Sequence, residues 1–289
     1  MKILEITNVD FSMRQFLFPL MVALREHGHD VTGGCAEGPL LAPMRADGLR
    51  VVGVPMSRTL SPVAQWRAWR ALVRLIRAEK PDLVHAHMPI SGLLARFAAW
   101  HCRVPRVAYT CHGFLFNQPG SRLRRMAAFV LEWLAGKVTD IYLTVSEEEA
   151  RDARRLGIHR HATGIGNGRA PALFHPDPAA RACLRARHGV GAGQVVILAV
   201  SRLVRSKGYP ELLAAMRMLP GNAVLWIVGE RLPSDRGTDR EPCFAAARAA
   251  LGPRLVFLGY REDVAAIMAA ADIFVLPSHF EGLPMSVIE

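Results

Sequence analysis

Two carboxylates in the last nine residues are the side chains best placed to do chemistry. Glu281 and Glu289 are separated by seven residues, and a Gly-Leu-Pro turn follows the first of them. The apolar run from Asp272 to Ser278 comes just before and predicts a buried strand. Parallel α/β sheets bind ligands at the carboxyl ends of their strands, where we expect Glu281. Eight helical steps of about 100° would return Glu289 to within roughly 80° of the azimuth of Glu281, so both acids would face one site.

A pair of cations follows an earlier apolar run, Val195 to Val200. Arg202 can form paired hydrogen bonds to phosphate oxygens, and Lys207 adds a compact positive charge. Together they can neutralise a diphosphate without a metal ion. A solvated basic loop is the alternative interpretation of the same residues.

Two more strand-like runs end in glycine, giving Gly229-Glu230 and Gly259-Tyr260. A glycine at a strand end lets a ligand approach the backbone closely, although it often makes only a turn. The order along the chain is the informative feature: a basic loop, two glycine ends, then the paired acids. Four such strand ends predict a nucleotide-binding cleft.

Three histidines lie at or just after strand ends in the first half of the chain. His112 comes just before Gly113, which places an imidazole at the carboxyl edge of the sheet. The spacing of His85 and His87 allows a structural role or a metal pair. We favour the structural role, and predict no metal site, because no third ligand lies nearby in the sequence. Asp10 and Arg14, just after the first strand, are candidates for lining the acceptor side.

Strands and helices alternate along the chain, which predicts an α/β fold with doubly wound parallel sheets. A Gly- and Pro-rich stretch at 166–178 interrupts the pattern and predicts a linker between domains 1–165 and 179–289. Ser146 is expected to cap a helix that begins with three glutamates. The first-half strands are predicted at Met1–Thr7, His29–Gly33, Arg50–Pro55, Asp82–Ala86, Arg106–Thr110 and Ile141–Val145, and the longer helices at Arg14–His27, Pro62–Glu79, Ser91–Trp100 and Ser121–Lys137.

The composition restricts the classes of partner. The 289 residues carry 36 Lys and Arg against 25 Asp and Glu, a net charge of +11, which favours acidic partners such as nucleotides or phospholipid headgroups. Five scattered cysteines without C-x-x-C spacing predict neither a disulfide framework nor a zinc site, and fit a reducing cytoplasm. The apolar stretch from Phe16 to Leu24 is too short to span a bilayer, so we predict neither secretion nor a transmembrane helix.

Arginines at helical spacing offer a membrane-facing surface. Trp66 and Trp69 lie among four of them, and the segment is either an ordinary amphipathic surface helix or a dock for anionic headgroups. The basic and then apolar segment 121–133 is a second candidate. We do not expect nucleic-acid binding, because the basic residues flank apolar helices and not aromatic stacking platforms. The arginines of the first segment are Arg67, Arg70, Arg74 and Arg77.

These motifs, in this order, resemble the retaining nucleotide-sugar glycosyltransferases of family 4, which have the GT-B fold. The two acids match the E-x7-E pattern of that family, and the likeness covers essentially the whole chain. The first half is most similar to bacterial members that extend polyprenyl-diphosphate-linked oligosaccharides, or lipopolysaccharide, capsular or exopolysaccharide repeats. The resemblance implies two Rossmann-like domains facing a cleft, a UDP-sugar donor, no metal, and a peripheral position on the cytoplasmic face of the inner membrane.

The resemblance also implies roles for individual residues. Arg202 and Lys207 would hold the donor diphosphate, and the backbone at Gly282 and Leu283 would meet it at a helix start. Glu281 and His112 would contact the donor sugar, and Glu289 the ribose. Family members usually continue for several more helices, so the resemblance implies a truncated second domain. The alternatives are a sugar-nucleotide epimerase on the same fold and an inactive nucleotide-binding fragment.

Overall fold

The computed structural model describes residues 1–56, 61–118, 120–231 and 241–289, with the backbone alone at 241. Its contacts divide the chain into two compact units, Met1–Gly166 and Asn167–Glu289. Both are layered α/β structures with parallel sheets, as the alternation of strands and helices predicts.

Unit 1 contains a seven-stranded parallel sheet with the order β3-β2-β1-β4-β5-β6-β7. Helices cover both of its faces. The strands are β1 (Lys2–Ile6), β2 (Asp30–Cys35), β3 (Arg50–Gly53), β4 (Leu83–His87), β5 (Arg106–Cys111), β6 (Ile141–Thr144) and β7 (Thr163–Gly164). The helices are α1 (Asp10–Ser12), α2 (Phe18–Glu26), α3 (Leu41–Ala46), α4 (Pro62–Glu79), α5 (Pro89–His101), α6 (Arg122–Gly136) and α7 (Glu147–Arg155).

Two apolar cores lie on opposite faces of this sheet. Leu4, Ile6 and Val84 pack with α4 and α5 on one face. Ile3 and Val31 pack with the segment from α1 to α3 on the other. Side chains alternate between the two faces along each strand, so both cores come from the same short apolar runs.

The predicted helix bounds agree best with the structure where the helix ends carry distinct capping residues. The bounds of α4 are confirmed at both ends, with Pro62 in its first turn and Lys80 in the left-handed conformation at its end. Ser146 caps α7 as predicted, accepting a hydrogen bond from the backbone N–H of Glu149 at 3.2 Å. The helix predicted from Arg14 instead begins at Asp10 and passes through a π-helical turn, Met13–Leu17, before α2. This break accommodates Pro19 near the start of α2, since proline has no N–H to donate.

A buried ion pair joins α5 to α6. The Arg96 guanidinium donates to both carboxylate oxygens of Glu132 at 2.9 Å, and the Tyr142 hydroxyl donates to Glu132 at 2.7 Å. Arg96 also stacks on the Tyr109 ring, with its central carbon 3.7 Å from the ring centroid. Each buried polar group in this cluster except the Tyr109 hydroxyl therefore has a hydrogen-bonding partner.

Unit 2 contains a four-stranded parallel sheet with the order β10-β9-β8-β11. Its central strands β8 and β9 are almost wholly buried between helices on both faces. The strands are β8 (Val195–Val200), β9 (Ala223–Val228), β10 (Leu255–Gly259) and β11 (Ile273–Phe274). The helices are α8 (Pro178–Arg187), α9 (Tyr209–Met218), α10 (Glu241–Leu251), α11 (Val264–Ala270) and α12 (Met285–Ile288).

The predicted last strand differs from the structure. β11 spans two residues, and Ile273 is 47% exposed, whereas the apolar run predicts a longer buried strand. β11 pairs with β8 and lies at the end of the described strand order, so one of its sides has no neighbouring strand there. Asp272 holds it in place by accepting hydrogen bonds from the Val196 backbone N–H at 2.7 Å and from the Arg185 guanidinium at 2.9 Å.

Candidate active site

A buried polar cluster lies at the carboxyl edge of the unit 1 sheet. Glu5 on β1 is in register with His85 on β4, so both side chains leave the sheet on the same face. The carboxylate of Glu5 is fully buried and accepts from His87 Nε2 at 2.8 Å and from His85 Nδ1 at 3.2 Å. The Thr110 hydroxyl on β5 lies 2.8 Å from the other ring nitrogen of His85. Three neighbouring strands thus contribute to one hydrogen-bonded network.

His112 extends this network to the edge of the sheet. It follows β5 directly, and its Nε2 lies 3.4 Å from Nδ1 of His87. Phe16, in the π-helical turn, lies beside it with ring centroids 6.2 Å apart. Gly113, the next residue, has φ +107°, a conformation that favours glycine and turns the chain sharply after His112.

Burial sets the charges in the cluster. Desolvation raises the pKa of Glu5, but the two histidines outweigh it and lower that pKa to about 2. Burial lowers the pKa of His87 to about 4 and that of His112 to about 3. At neutral pH the cluster therefore holds an ionised Glu5 with a neutral His87 and a neutral His112.

The expectation that His85 and His87 have no third ligand-type neighbour is wrong. A third ligand-type side chain does lie nearby, because Glu5, His85 and His87 offer ligand atoms within 4.8 Å of one another. Glu5 could not be identified as a neighbour from the sequence, because it lies 80 residues before His85 and meets it only through the pairing of β1 with β4.

Asp10 and Arg14 make local contacts. Asp10 begins α1 and accepts from the backbone N–H of Phe11 at 2.8 Å and of Leu40 at 3.2 Å. The Arg14 guanidinium stacks over the ring of Phe18, 4.2 Å from its centroid. These contacts hold the loop at Leu40 against α1 and give Arg14 an aromatic support.

In unit 2, Lys207 and Glu281 form an ion pair, although 74 residues separate them. Lys207 ends a short 3-10 turn after β8, and Glu281 lies in the loop before α12. Gly208 has φ +71°, and a Cβ there would lie 1.9 Å from the carbonyl oxygen of Pro277, so the two loops meet at the backbone. This close contact places a cation and a carboxylate together at the carboxyl edge of the sheet.

The other strand ends of unit 2 lie at the same edge, because its strands are parallel. The backbone N–H of Gly229 donates to the carbonyl of Gly259 at 2.8 Å, and that of Leu203 donates to the carbonyl of Glu230 at 3.3 Å. Gly229 has φ +122°, and a Cβ there would lie 2.2 Å from the carbonyl oxygen of Ser201. Arg202, Glu230 and Tyr260 are solvent-exposed at these ends.

The carboxylate of Glu289 accepts a hydrogen bond from Arg169 Nε at 2.5 Å, and the amide of Asn167 donates to the carbonyl of Leu283 at 2.8 Å. Both contacts tie the segment after Gly166 to the loop and helix that end the chain. The geometry expected for the two acids was wrong. α12 begins only at Met285, so the residues from Glu281 to Pro284, including Gly282, are not helical and the azimuth calculation does not apply.

A surface of unit 1 exposes apolar side chains along α6. Leu123, Met126, Val130 and Leu134 follow the helical repeat and are 79%, 63%, 46% and 43% exposed. A groove of about 280 Å³ runs between α5 and α6, with Pro89, Ile90 and Leu115 at the end near the strand edge. Leu93 and Leu131 continue its apolar wall. Within the described ranges, the structure contains no helix with the length and hydropathy needed to span a bilayer.

Comparison with solved structures defines the type of fold. HepE of Anabaena, crystallised with UDP and glucose, aligns with a TM-score of 0.79 over 100% of this chain and 77% of that chain, at 21% identity. The chain therefore has the GT-B type of α/β fold, with two Rossmann-like units.

The family follows from the sequence. Residues 13–168 match the family described as glycosyl transferase 4-like domain, and residues 181–289 match glycosyl transferases group 1. The chain belongs to this glycosyltransferase family.

Relatives with stated activities match most of the chain. The UDP-Gal:α-D-GlcNAc-diphosphoundecaprenol α-1,3-galactosyltransferase of Escherichia coli is 28% identical over 90% of this chain and 68% of its own length. The N,N'-diacetylbacillosaminyl-diphospho-undecaprenol α-1,3-N-acetylgalactosaminyltransferase of Campylobacter jejuni is 24% identical over 100% of this chain and 77% of its own length.

Proposed function

We propose that this glycosyltransferase moves a hexose or N-acetylhexosamine from a UDP-sugar to a polyprenyl-diphosphate-linked saccharide, with retention of anomeric configuration and without a metal. The observation that carries the proposal is the Lys207–Glu281 pair at the carboxyl edge of a parallel sheet. It supplies a cation for the donor diphosphate beside a carboxylate for the sugar. The Escherichia coli relative named above supports the choice of donor and acceptor, and the Campylobacter jejuni relative supports the choice of acceptor.

Each site residue has a role that its chemistry supports. Arg202 and Lys207 hold the diphosphate, assisted by the backbone at Gly282 and Leu283, and Glu289 binds the ribose hydroxyls. Negative charge builds on the departing diphosphate as the glycosidic bond breaks, so fixed cations there stabilise the transition state more than the ground state. Glu281 and His112 contact the donor sugar.

The exposed apolar stripe of α6 supports a lipid-linked acceptor and a peripheral membrane position. Arg122 and Arg124 lie on either side of this stripe at the start of the helix, where they can meet anionic headgroups. α4 also exposes arginines, together with Trp66 at 57% exposure, but its apolar stripe is buried in the unit 1 core. We therefore assign the main membrane contact to α6.

Calorimetric titration of the chain with UDP, GDP and ADP tests the donor assignment. Selective UDP binding is the expected result, because the Escherichia coli relative uses a UDP-sugar. The residues assigned to the diphosphate and the ribose, which all three nucleotides share, lie in unit 2. A folded chain that binds none of the three nucleotides would contradict the proposal.

Incubation with UDP-sugars, with and without an undecaprenyl-diphosphate-linked saccharide, separates transfer from epimerisation on the same fold. We expect sugar release to require the acceptor and the linkage formed to retain the donor configuration. Epimerised donor in the absence of acceptor would favour the epimerase. UDP binding without turnover under either condition would indicate a nucleotide-binding module.

A further inference from the structure

The network around Glu5 restricts where the protons of two histidines can be. An ionised carboxylate can only accept hydrogen bonds, so His87 must donate from Nε2, the nitrogen 2.8 Å from Glu5. A neutral imidazole has one N–H, so Nδ1 of His87 must be an acceptor. The nitrogen that faces it at 3.4 Å is Nε2 of His112, which must then carry the proton of that ring.

We propose that Glu5 and His87 are positioning residues that fix His112 as the Nε2–H tautomer, leaving its Nδ1 as a hydrogen-bond acceptor for a sugar hydroxyl. Among the residues that the structure describes, Nδ1 of His112 has no hydrogen-bond partner. The role toward a sugar rests on the proposed function, whereas the tautomer rests on the hydrogen-bond network with Glu5 ionised and His87 neutral.

Two features of the cluster support this arrangement. Glu5 and His87 are 0% and 3% exposed, so water does not compete with their hydrogen bond. The second oxygen of Glu5 is occupied by His85, whose other nitrogen faces a hydroxyl that can donate to it.

Long-range proton–nitrogen NMR of the whole chain, labelled with ¹⁵N-histidine, reads the tautomer directly without any substrate. The signals of His112 are those lost in His112→Gln. We expect wild-type His112 to carry its proton on Nε2 at pH 7. A proton on Nδ1 would overturn the proposal whatever the enzyme's activity.

A matched pair of variants tests whether His87, and not His85, fixes the tautomer of His112. His87→Phe keeps an aromatic ring of similar size but removes the acceptor, so we expect His112 to populate both tautomers. His85→Phe removes the other imidazole from Glu5 without touching His112, and we expect its tautomer to stay as in wild type. Equal changes in both variants would contradict the inference.

Kinetics with the UDP-sugar then separate positioning from the proposed function. His87→Phe should lower kcat by roughly 10- to 100-fold with UDP affinity unchanged. A wrongly oriented His112 would reduce the stabilisation of the transition state without affecting nucleotide binding. A shifted tautomer with unchanged kcat would overturn the positioning role and leave the proposed function standing. A wild-type chain with the expected tautomer but without transfer would count against the proposed function alone.

Discussion

At the level of single residues, Lys207 forms an ion pair with Glu281. We predict that Lys207→Gln weakens UDP binding by about 1.5–3 kcal/mol, the contribution of a hydrogen bond to a charged group. Arg205→Gln is the matched control, because it removes an exposed cation from the same turn. Calorimetry on both variants measures the difference. Equal losses would mean that the loop acts only through its overall charge.

Replacing Glu281, the carboxylate paired with Lys207, is expected to change UDP affinity in the opposite direction. Glu281→Gln should raise UDP affinity, since it releases Lys207 and removes a negative charge near the diphosphate. The gain is expected to be below about 1 kcal/mol, as for other solvent-accessible ion pairs. Sugar transfer should fall in the same variant because it lacks the carboxylate that we propose contacts the sugar. Weaker UDP binding in Glu281→Gln would argue against this geometry.

At the level of elements, α6 carries two separate properties on its two sides. Its outer side is the apolar stripe, and replacing Leu123 and Met126 with serine should release the chain from vesicles containing anionic phospholipid. The control is Arg67→Gln with Arg70→Gln and Arg74→Gln on α4, which we expect to weaken binding less. Flotation or sedimentation with vesicles measures both. A larger loss from the α4 variant would move the membrane contact to that helix.

The inner side of α6 depends on its ion pair with α5. Arg96→Met leaves the Glu132 carboxylate buried without its guanidinium, and should lower the free energy of unfolding by about 3–5 kcal/mol. Adding Glu132→Gln removes the stranded charge and keeps an acceptor for Tyr142, so much of that loss should be recovered. Urea denaturation of the two variants against wild type tests this. A double variant no more stable than Arg96→Met would contradict the charge argument.

At the level of the whole molecule, the histidine cluster makes the free energy of unfolding depend on pH. The folded pKa values of His87 and His112, about 4 and about 3, lie below the ordinary value of 6.5. Between these values the unfolded chain binds more protons than the folded one, so stability is complete above about pH 6.5 and falls as the pH is lowered. We expect unit 1 to lose more than about 1.4 kcal/mol between pH 7 and pH 4.5.

Urea denaturation at the two pH values measures this loss. His112→Gln, which does not titrate, should reduce the acid-induced loss, whereas His175→Gln at an exposed position should leave it unchanged. An acid-induced loss that is the same in all three proteins would place the proton uptake elsewhere.

The fold could be predicted from the sequence wherever the periodicity of the apolar residues agreed with the residues that begin and end helices and strands. The alternation predicted both parallel sheets, and α4 begins and ends where predicted. The helix around Arg14 and the short β11 differ, because a π-helical turn and an exposed edge leave no distinct periodic signal. α3 was missed for a similar reason: it is six residues long.

Contacts within the site were harder to predict than its location. Strand ends placed Lys207 and Glu281 at one edge, but their pairing needs the loops to meet at Gly208 and Pro277. Glu5 read as an ordinary residue in an apolar run, and only the β1–β4 register brings it to His85. The helix to Glu289 was assumed to start at Glu281, and the Gly-Leu-Pro turn delays it to Met285.

The order of strands in unit 1 also bears on how the chain is made. Every strand of its described sheet comes from the first 164 residues, and the last of them, β7, adds at the edge. Domains generally fold as units during synthesis, starting from the N-terminus. The histidine cluster can therefore assemble on the ribosome before Lys207 has been translated, whereas the Lys207–Glu281 pair must wait for a further 74 residues.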